Sequence, residues 1–485
     1  MRARNIAAVL AILLAGCATP AKLPESASSP APAPVVAAPP VSVPALGPQP
    51  ELRLPSSRHF RLANGLAVRL VESHRLPIVA VHLVLLEAGA ARDPGRLPGL
   101  ASFTAAMLTE GTLTRTAIQI SEELGGLGAS LSAGTSMDAA WVSGSALSRH
   151  LPRLLDLLGD VVANPAFPAT DFARVQDQRR VSLLQQRDQP GAVASRTFGP
   201  LFWGDHPYGH WAGGTEASVA ATTRADLAGF HAEHWRPGAA ELVVVGDVDV
   251  DSLRPVLERA LAGWKGAAPA RPPAAEAPTT ARRAVLVEKK GAPQTFLILG
   301  MPGIPRSDPD YVTAQVLFQV LGGGSASRLF RDLREEKGYT YGLSAREAAS
   351  RQGGVSYLGG SVRADATGQA LGDLLAQVRA LRDVPVPIAE LADARDGIVR
   401  SLPGDFASVS GIAGRLAEQV VYALPEDWWA RYPSRVQSVT PADVQRVARR
   451  VLDEGRLVTV MVGDPAVVTP QLGGLPLGDV EVRKP

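Results

Sequence analysis

The sequence predicts an α+β fold built twice: two homologous α/β-sandwich domains in tandem, behind a disordered N-terminal tether. Three observations carry this expectation. Two stretches of about 200 residues repeat one order of local patterns. A Pro/Ala-rich stretch divides them. Within each, strand-like apolar runs of antiparallel type accompany runs of amphipathic helix, the mixture expected when helices layer on a sheet.

The elements follow in order. The first repeat opens with LAVRLVESHRLPIVAVHLVLLEAGAARDP (66–94) and the second with RAVLVEKKGAPQTFLILGMPGIPRSDP (283–309). Each gives a β-branched run, a short turn, a second strand and a loop carrying Arg and Asp-Pro. A helix comes next, in GLASFTAAMLTEGT (99–112) or YVTAQVLFQVLGGG (311–324). Near the end of each repeat, TRADLAGFHAEHWRPGAAELVVVGDVD (223–249) parallels TPADVQRVARRVLDEGRLVTVMVGDPA (440–466). Thr-x-Ala-Asp is a helix start with Thr as N-cap, because a hydroxyl can accept from an orphan N–H of the first turn. A strand of apolar residues ending in Gly-Asp closes the unit.

Composition narrows the function. Lys and Arg number 49 against 47 Asp and Glu, a net charge of +2, and aromatics are 5% of residues. No Lys/Arg run appears, so a nucleic-acid partner is not expected. The N-terminus pairs a basic MRARN with the apolar IAAVLAILLAG, too short to span a bilayer and of secretory length. It ends in Leu14-Ala15-Gly16-Cys17, which resembles a bacterial lipobox. That resemblance implies cleavage before Cys17 and acyl chains on its sulfur and new amine. Several chains together make a stable membrane anchor. Ala18 in place of Asp favours the outer membrane of a bacterial cell envelope, on its periplasmic face. Cys17 is the only cysteine, so the mature chain has no disulfide and no thiolate site. Residues 18–56 are rich in Pro, Ala and Ser and cannot bury enough apolar surface to fold. The expected division is 1–17 signal peptide, 18–56 tether, 57–265 first domain, 266–283 linker and 284–480 second domain.

Several longer landmarks carry chemistry. They are EAGAARDP followed by the GLAxxxxxMLTEGT frame, QQRDQP (185–190), FWGDHPYGH (202–210), the GDVD strand end and RLFRDLREEKGYTYGLSA (328–345). Over roughly residues 57–480 the chain resembles the insulinase/pitrilysin (inverzincin) zinc peptidases. That resemblance implies two α+β domains forming one half of a clam-shell. Active members carry H-x-x-E-H on the first helix. The two His share one helix face and bind zinc, the Glu polarises the bound water, and a Glu on a later helix completes the ligands. Here those first positions fall on Ser102, Ala105 and Ala106. The later helix, DFARVQDQRRVSLLQQR (171–187), contains no glutamate. The expectation is therefore no zinc and no cofactor in this chain.

Other residues do not replace that set. His206 and His210 are four apart, but Pro207 and Gly209 argue against a helix. His231 and His234 match the spacing of neighbours on a helix, and the simpler reading is exposed or capping histidines. No G-x-S-x-G elbow supports a serine nucleophile. In the second half the resemblance implies that Arg334 and Tyr341, separated by six residues, reach into the site of a zinc-bearing chain. Arg can hold a carbonyl or carboxylate, and the Tyr hydroxyl can donate to a developing oxyanion. Tyr339 is expected to point elsewhere. Gly322, Gly323 and Gly324 would border a peptide substrate. The implied function is the zinc-free subunit of a heterodimeric metallopeptidase, with a homologous H-x-x-E-H chain as partner, zinc in that partner and a peptide as substrate. The alternative is a lipid-anchored structural or peptide-binding protein with no catalytic role.

Overall fold

The computed structural model describes Gly47, Leu52 and residues 56–484, apart from 272, 274 and 276–280. Cys17, and with it the expected lipid anchor and most of the tether, lies outside the described residues. Among the described residues no helix is long and apolar enough to cross a membrane.

Among the described residues twelve strands form two six-stranded sheets. The first contains β1 (Ser57–Arg61), β2 (Ala67–Glu72), β3 (Ile78–Leu85), β4 (Ser130–Thr135), β5 (Ala140–Leu147) and β6 (Ala240–Gly246), in the order β1-β2-β6-β3-β5-β4. The second contains β7 (Arg283–Glu288), β8 (Gln294–Pro302), β9 (Thr340–Ser350), β10 (Gly353–Arg363), β11 (Val458–Gly463) and β12 (Val480–Arg483), in the order β12-β7-β11-β8-β10-β9. Without β1 and β12 the two orders are the same. In both, the strand ending in Gly lies parallel to the opening strand, and the remaining pairs are antiparallel. The repeat read from local patterns is therefore a repeat of topology. The sheets differ at one edge, where β1 is antiparallel to β2 but β12 is parallel to β7. The second sheet also begins at Arg283 and ends beyond residue 480.

Both Thr-x-Ala-Asp starts form reciprocal caps. Thr223 Oγ1 accepts from Asp226 N at 3.2 Å while Asp226 accepts from Thr223 N at 2.9 Å. Thr440 and Asp443 do the same at 3.2 and 3.0 Å. Each cap satisfies two orphan donors of a helix N-terminus.

The apolar strands show how the halves join. β6 (AELVVVG) and β11 (VTVMVG) are buried along nearly their whole length, which requires cover on both faces. One face of each sheet packs on its own helices. The other receives a helix from the opposite half. The Pro190–Trp203 helix lays Ala194, Phe198 and Phe202 on Val285, Ile298, Val458, Val460 and Val462 of the second sheet. The Val409–Tyr422 helix lays Ala413, Leu416, Ala417 and Val420 in one cluster with Val71, Ala80, Val84, Val243 and Val245 of the first. Neither half can bury its sheet without the other.

A polar contact fixes the same junction. The Tyr208 hydroxyl donates to Asp138, and Gln352 N donates to that hydroxyl at 3.2 Å. Arg351 N donates to the other Asp138 oxygen at 3.1 Å, and its guanidinium donates to Leu86 O at 3.1 Å. The HPYGH segment is thus a structural turn, with His206 Nδ1 accepting from Tyr208 N at 3.0 Å.

Candidate functional site

The Leu100–Met107 helix is the frame helix of the first half. Asp93 caps it, accepting from Gly99 N at 2.6 Å and Ala101 N at 2.7 Å. This gives the Arg-Asp-Pro loop its role. His210 Nε2 donates to the same carboxylate at 3.0 Å. The helix packs beside Ala169–Gln186, the expected later helix, through a stacked Phe103–Phe172 pair with ring centroids 5.3 Å apart.

Between these helices lies Arg179. Its guanidinium donates to Ser102 Oγ and, at 3.4 Å, to Ser102 O. It also stands 4.9 Å from the Phe103 ring centre. Burial pushes its pKa down to about 10, while the Asp93 carboxylate pulls the other way. Its Nε has no acceptor among the described residues. Ser102 Oγ donates in turn to Ala212 O at 2.6 Å and Gly99 O at 3.0 Å. Ala105 is buried and offers no lone pair. Zinc here would meet two alanines, a serine whose hydroxyl is fully engaged and a fixed positive charge. These residues do not fit the metal. Among the described residues no group of three or more His, Cys, Asp or Glu is arranged to hold one.

The histidines of the Arg224–His234 helix differ in part from their sequence reading. They are packed, not exposed, and His231 caps the end of the Leu151–Ala163 helix. His231 Nε2 meets Val162 O at 2.9 Å, and burial pushes its pKa down to about 4. His234 is 8% exposed, and burial lowers its pKa as well. The helix end is covered by core aromatics: His231 stacks on Trp235, and His234 lies against Phe230.

In the second half Arg334 and Tyr341 come together. Arg334 lies on a π-helical turn, Phe330–Glu336, and Tyr341 lies at the start of β9. The guanidinium carbon is 4.5 Å from the Phe330 ring centre and 5.3 Å from that of Tyr341. Tyr341 is 86% exposed, which an aromatic holding the core together would not be. Tyr339 is half-buried against the second-half core. Residues two apart share a face in a regular strand, but the β9–β10 register shifts between Ser361 and Val362, and Tyr341 and Gly342 are both exposed. That irregularity turns the two tyrosines apart.

The three glycines have separate settings. A Cβ on Gly322 would stand 2.5 Å from Ala345 N, so this residue lets the Tyr311–Gly322 helix close on β9. One on Gly323 would meet Gln319. Gly324 is open. Gly323 and Gly324 are exposed beside the loop that leads to Arg328.

Sequence reasoning missed Arg179. Its signal was positional: Val175, Arg179 and Leu183 recur every four residues, so the arginine stands in the stripe that packs inward.

The family model described as Insulinase (Peptidase family M16) matches residues 68–198, and that described as Peptidase M16 inactive domain matches residues 221–398. An uncharacterized zinc protease of Mycobacterium leprae is 31% identical over 307 residues, spanning 61% of this chain and 67% of the relative. One from Streptomyces coelicolor is 28% identical over 431 residues, 84% of this chain and 89% of its own length. The crystal structure of a peptidase M16 inactive domain from Pseudomonas fluorescens superposes with a TM-score of 0.79 at 28% identity, covering 84% of this chain and 98% of that one. The chain belongs to the insulinase family, peptidase family M16.

Proposed function

We propose that this chain is the zinc-free subunit of a two-chain insulinase-type metallopeptidase. It docks with a homologous H-x-x-E-H chain that carries the zinc and the general base. The two enclose a peptide, and Arg334 and Tyr341 complete the partner's site. The observation that carries this reading is the pairing of an exposed Arg334–Tyr341 face with a first-half helix pair that holds Arg179 and no ligands. Tyr341 makes no core contact that would explain its presence, and its hydroxyl is available to an oxyanion. The exposed Arg334 guanidinium lies within 5.3 Å of the Tyr341 ring centre, and its five donors can hold a peptide carbonyl or carboxylate.

In this mechanism the partner's zinc supplies the nucleophilic water. Arg334 holds the substrate, and Tyr341 donates a hydrogen bond to the scissile carbonyl oxygen as it gains charge. Gly324 leaves the backbone accessible beside the peptide. Envelope anchorage through Cys17 is proposed from the sequence alone. The test is to purify the chain by itself and with its H-x-x-E-H partner. The pair should cleave peptides, and the lone chain should neither cleave them nor carry stoichiometric zinc. Zinc and turnover in the lone chain would overturn the reading.

A further inference from the structure

A second polar site lies where the two halves meet the segment that joins them. A cavity of about 250 Å³ is walled by the loop before the frame helix, the β4–β5 turn, the β9–β10 turn and the joining segment at Arg271 and Pro273. This is below the range of about 300–1,000 Å³ for drug-sized ligands, so the cavity suits smaller ones. Among the described residues its lining includes none of Ser102, Arg179, Arg334 and Tyr341.

Three arginines from three parts of the chain meet there around one carboxylate. Arg92 of the first half donates to Glu87. Arg271 of the joining segment donates to Glu87 at 3.2 Å. Arg351 of the second half brings its guanidinium to 4.0 Å from the same carboxylate. One carboxylate can neutralise only one of them. Among the described residues Asp138 is the other acid in the wall, and its oxygens already accept from the Tyr208 hydroxyl and from Arg351 N. Three cations therefore face two anions. Burial and the neighbouring Arg271 charge lower the pKa of Arg92, against the pull of Glu233.

Donors are in excess as well. Besides Glu87, the Arg92 guanidinium donates to Ala270 O at 3.2 Å, and that of Arg351 donates to Leu86 O at 3.1 Å and Asp138 O at 3.4 Å. Arg92 Nε and Nη1, Arg271 Nη1 and Nη2, and Arg351 Nε and Nη2 have no hydrogen-bond acceptor among the described residues. A neutral ligand would leave the extra positive charge uncompensated. A phosphoryl group brings negative charge and several oxygens that guanidinium forks can reach from different directions. Met137, Pro207 and Pro273 give the cavity an apolar side, which suits a short carbon chain.

We propose that this cavity binds the phosphoryl group of inorganic phosphate or of a small phosphate monoester, held by Arg92, Arg271 and Arg351. A ligand there ties the joining segment to both halves. The site belongs to this chain alone and needs no zinc-bearing partner.

Isothermal titration of the whole purified chain tests this, at one ionic strength held with sodium chloride. The titrants are inorganic phosphate, glycerol 3-phosphate and, as the uncharged control, glycerol. At least one phosphate compound should bind saturably with a Kd below about 1 mM, and glycerol should not bind. Tighter binding of glycerol 3-phosphate would assign the site to a monoester, and tighter binding of phosphate to the free ion. Arg271→Gln alters a side chain that is 63% exposed, so it should weaken binding about tenfold or more and leave the melting temperature unchanged. A folded Glu87→Gln chain should bind about tenfold more tightly, because the substitution removes the charge that competes for the same three arginines. No saturable heat from either phosphate compound, unchanged binding by Arg271→Gln, or no tightening in folded Glu87→Gln would overturn the proposal. None of these outcomes bears on the two-chain reading, because no partner is present.

Discussion

At the scale of single residues, Ser102 and Arg179 form a self-contained unit. A guanidinium largely removed from water is costly unless its donors find acceptors, and Ser102 supplies two of them. Ser102→Ala should therefore destabilise the chain by about 1–3 kcal/mol, since it strands a buried donor. Arg179→Met removes the charge together with its demand and should cost less than Ser102→Ala, within about 1 kcal/mol of neutral. Urea unfolding of both variants checks the order, and the reverse order would refute this account of the site. The loss of ligands at Ser102, Ala105 and Ala106 was legible in the sequence, because alanine has no lone pair in any fold. The arginine that fills the space was not, because its direction depends on how two helices meet.

Glu347 gives a second residue-scale prediction. It sits on β9 with its carboxylate accepting from Ile304 N at 2.9 Å and from Ser356 Oγ at 2.8 Å. Burial pushes its pKa up to about 7 from the usual 4.5, against the pull of those bonds. Asp138 shifts in the same sense, to about 6 from 3.8, again through burial. A carboxyl with a raised folded pKa holds its proton longer in the folded state than in the unfolded one. Its stabilisation is full below the unfolded value and is lost as pH rises to the folded one. The parent chain should therefore lose stability relative to Glu347→Gln as pH rises from about 4.5 to 7, while His82 and His231, whose pKa burial pushes down to about 4, add stability to both proteins over the same window. Melting temperatures across this range decide it. A difference between parent and variant that stays constant over the same window would contradict the assignment.

At the scale of elements, the exchanged helices hold the molecule together. Phe198 rests on Gly300 of β8 so closely that a Cβ there would stand 2.2 Å from the ring. Phe198→Ala should cost about 3–5 kcal/mol by emptying that seat. Because the helix belongs to one half and the sheet to the other, the loss should also separate the single denaturation transition into two, as followed by calorimetry. A single transition at unchanged temperature would show that the halves do not depend on this helix. The strands VVV and VTVMV announced in sequence that both faces would be covered. Which half covers which face was not legible, since an apolar stripe fixes the face that is buried but not its partner. The same limit applies to Tyr339 and Tyr341. The family resemblance singled out Tyr341, but the register shift that exposes it arises from pairing with β10.

At the scale of the whole molecule, two halves of one topology have diverged in what they hold between their paired helices. The first holds a buried cation and the second a polar cavity, while the exposed Arg334–Tyr341 face serves neither core. An exposed pair contributes little to folding, so its substitution separates function from stability. The most direct measurement is the turnover of the proposed two-chain enzyme rebuilt with Tyr341→Phe in this chain. The substitution should leave the melting temperature and pairing unchanged and lower kcat by about 100-fold, the scale of losing one oxyanion donor. Undiminished kcat in a correctly assembled pair would contradict the claim that this chain completes its partner's active site.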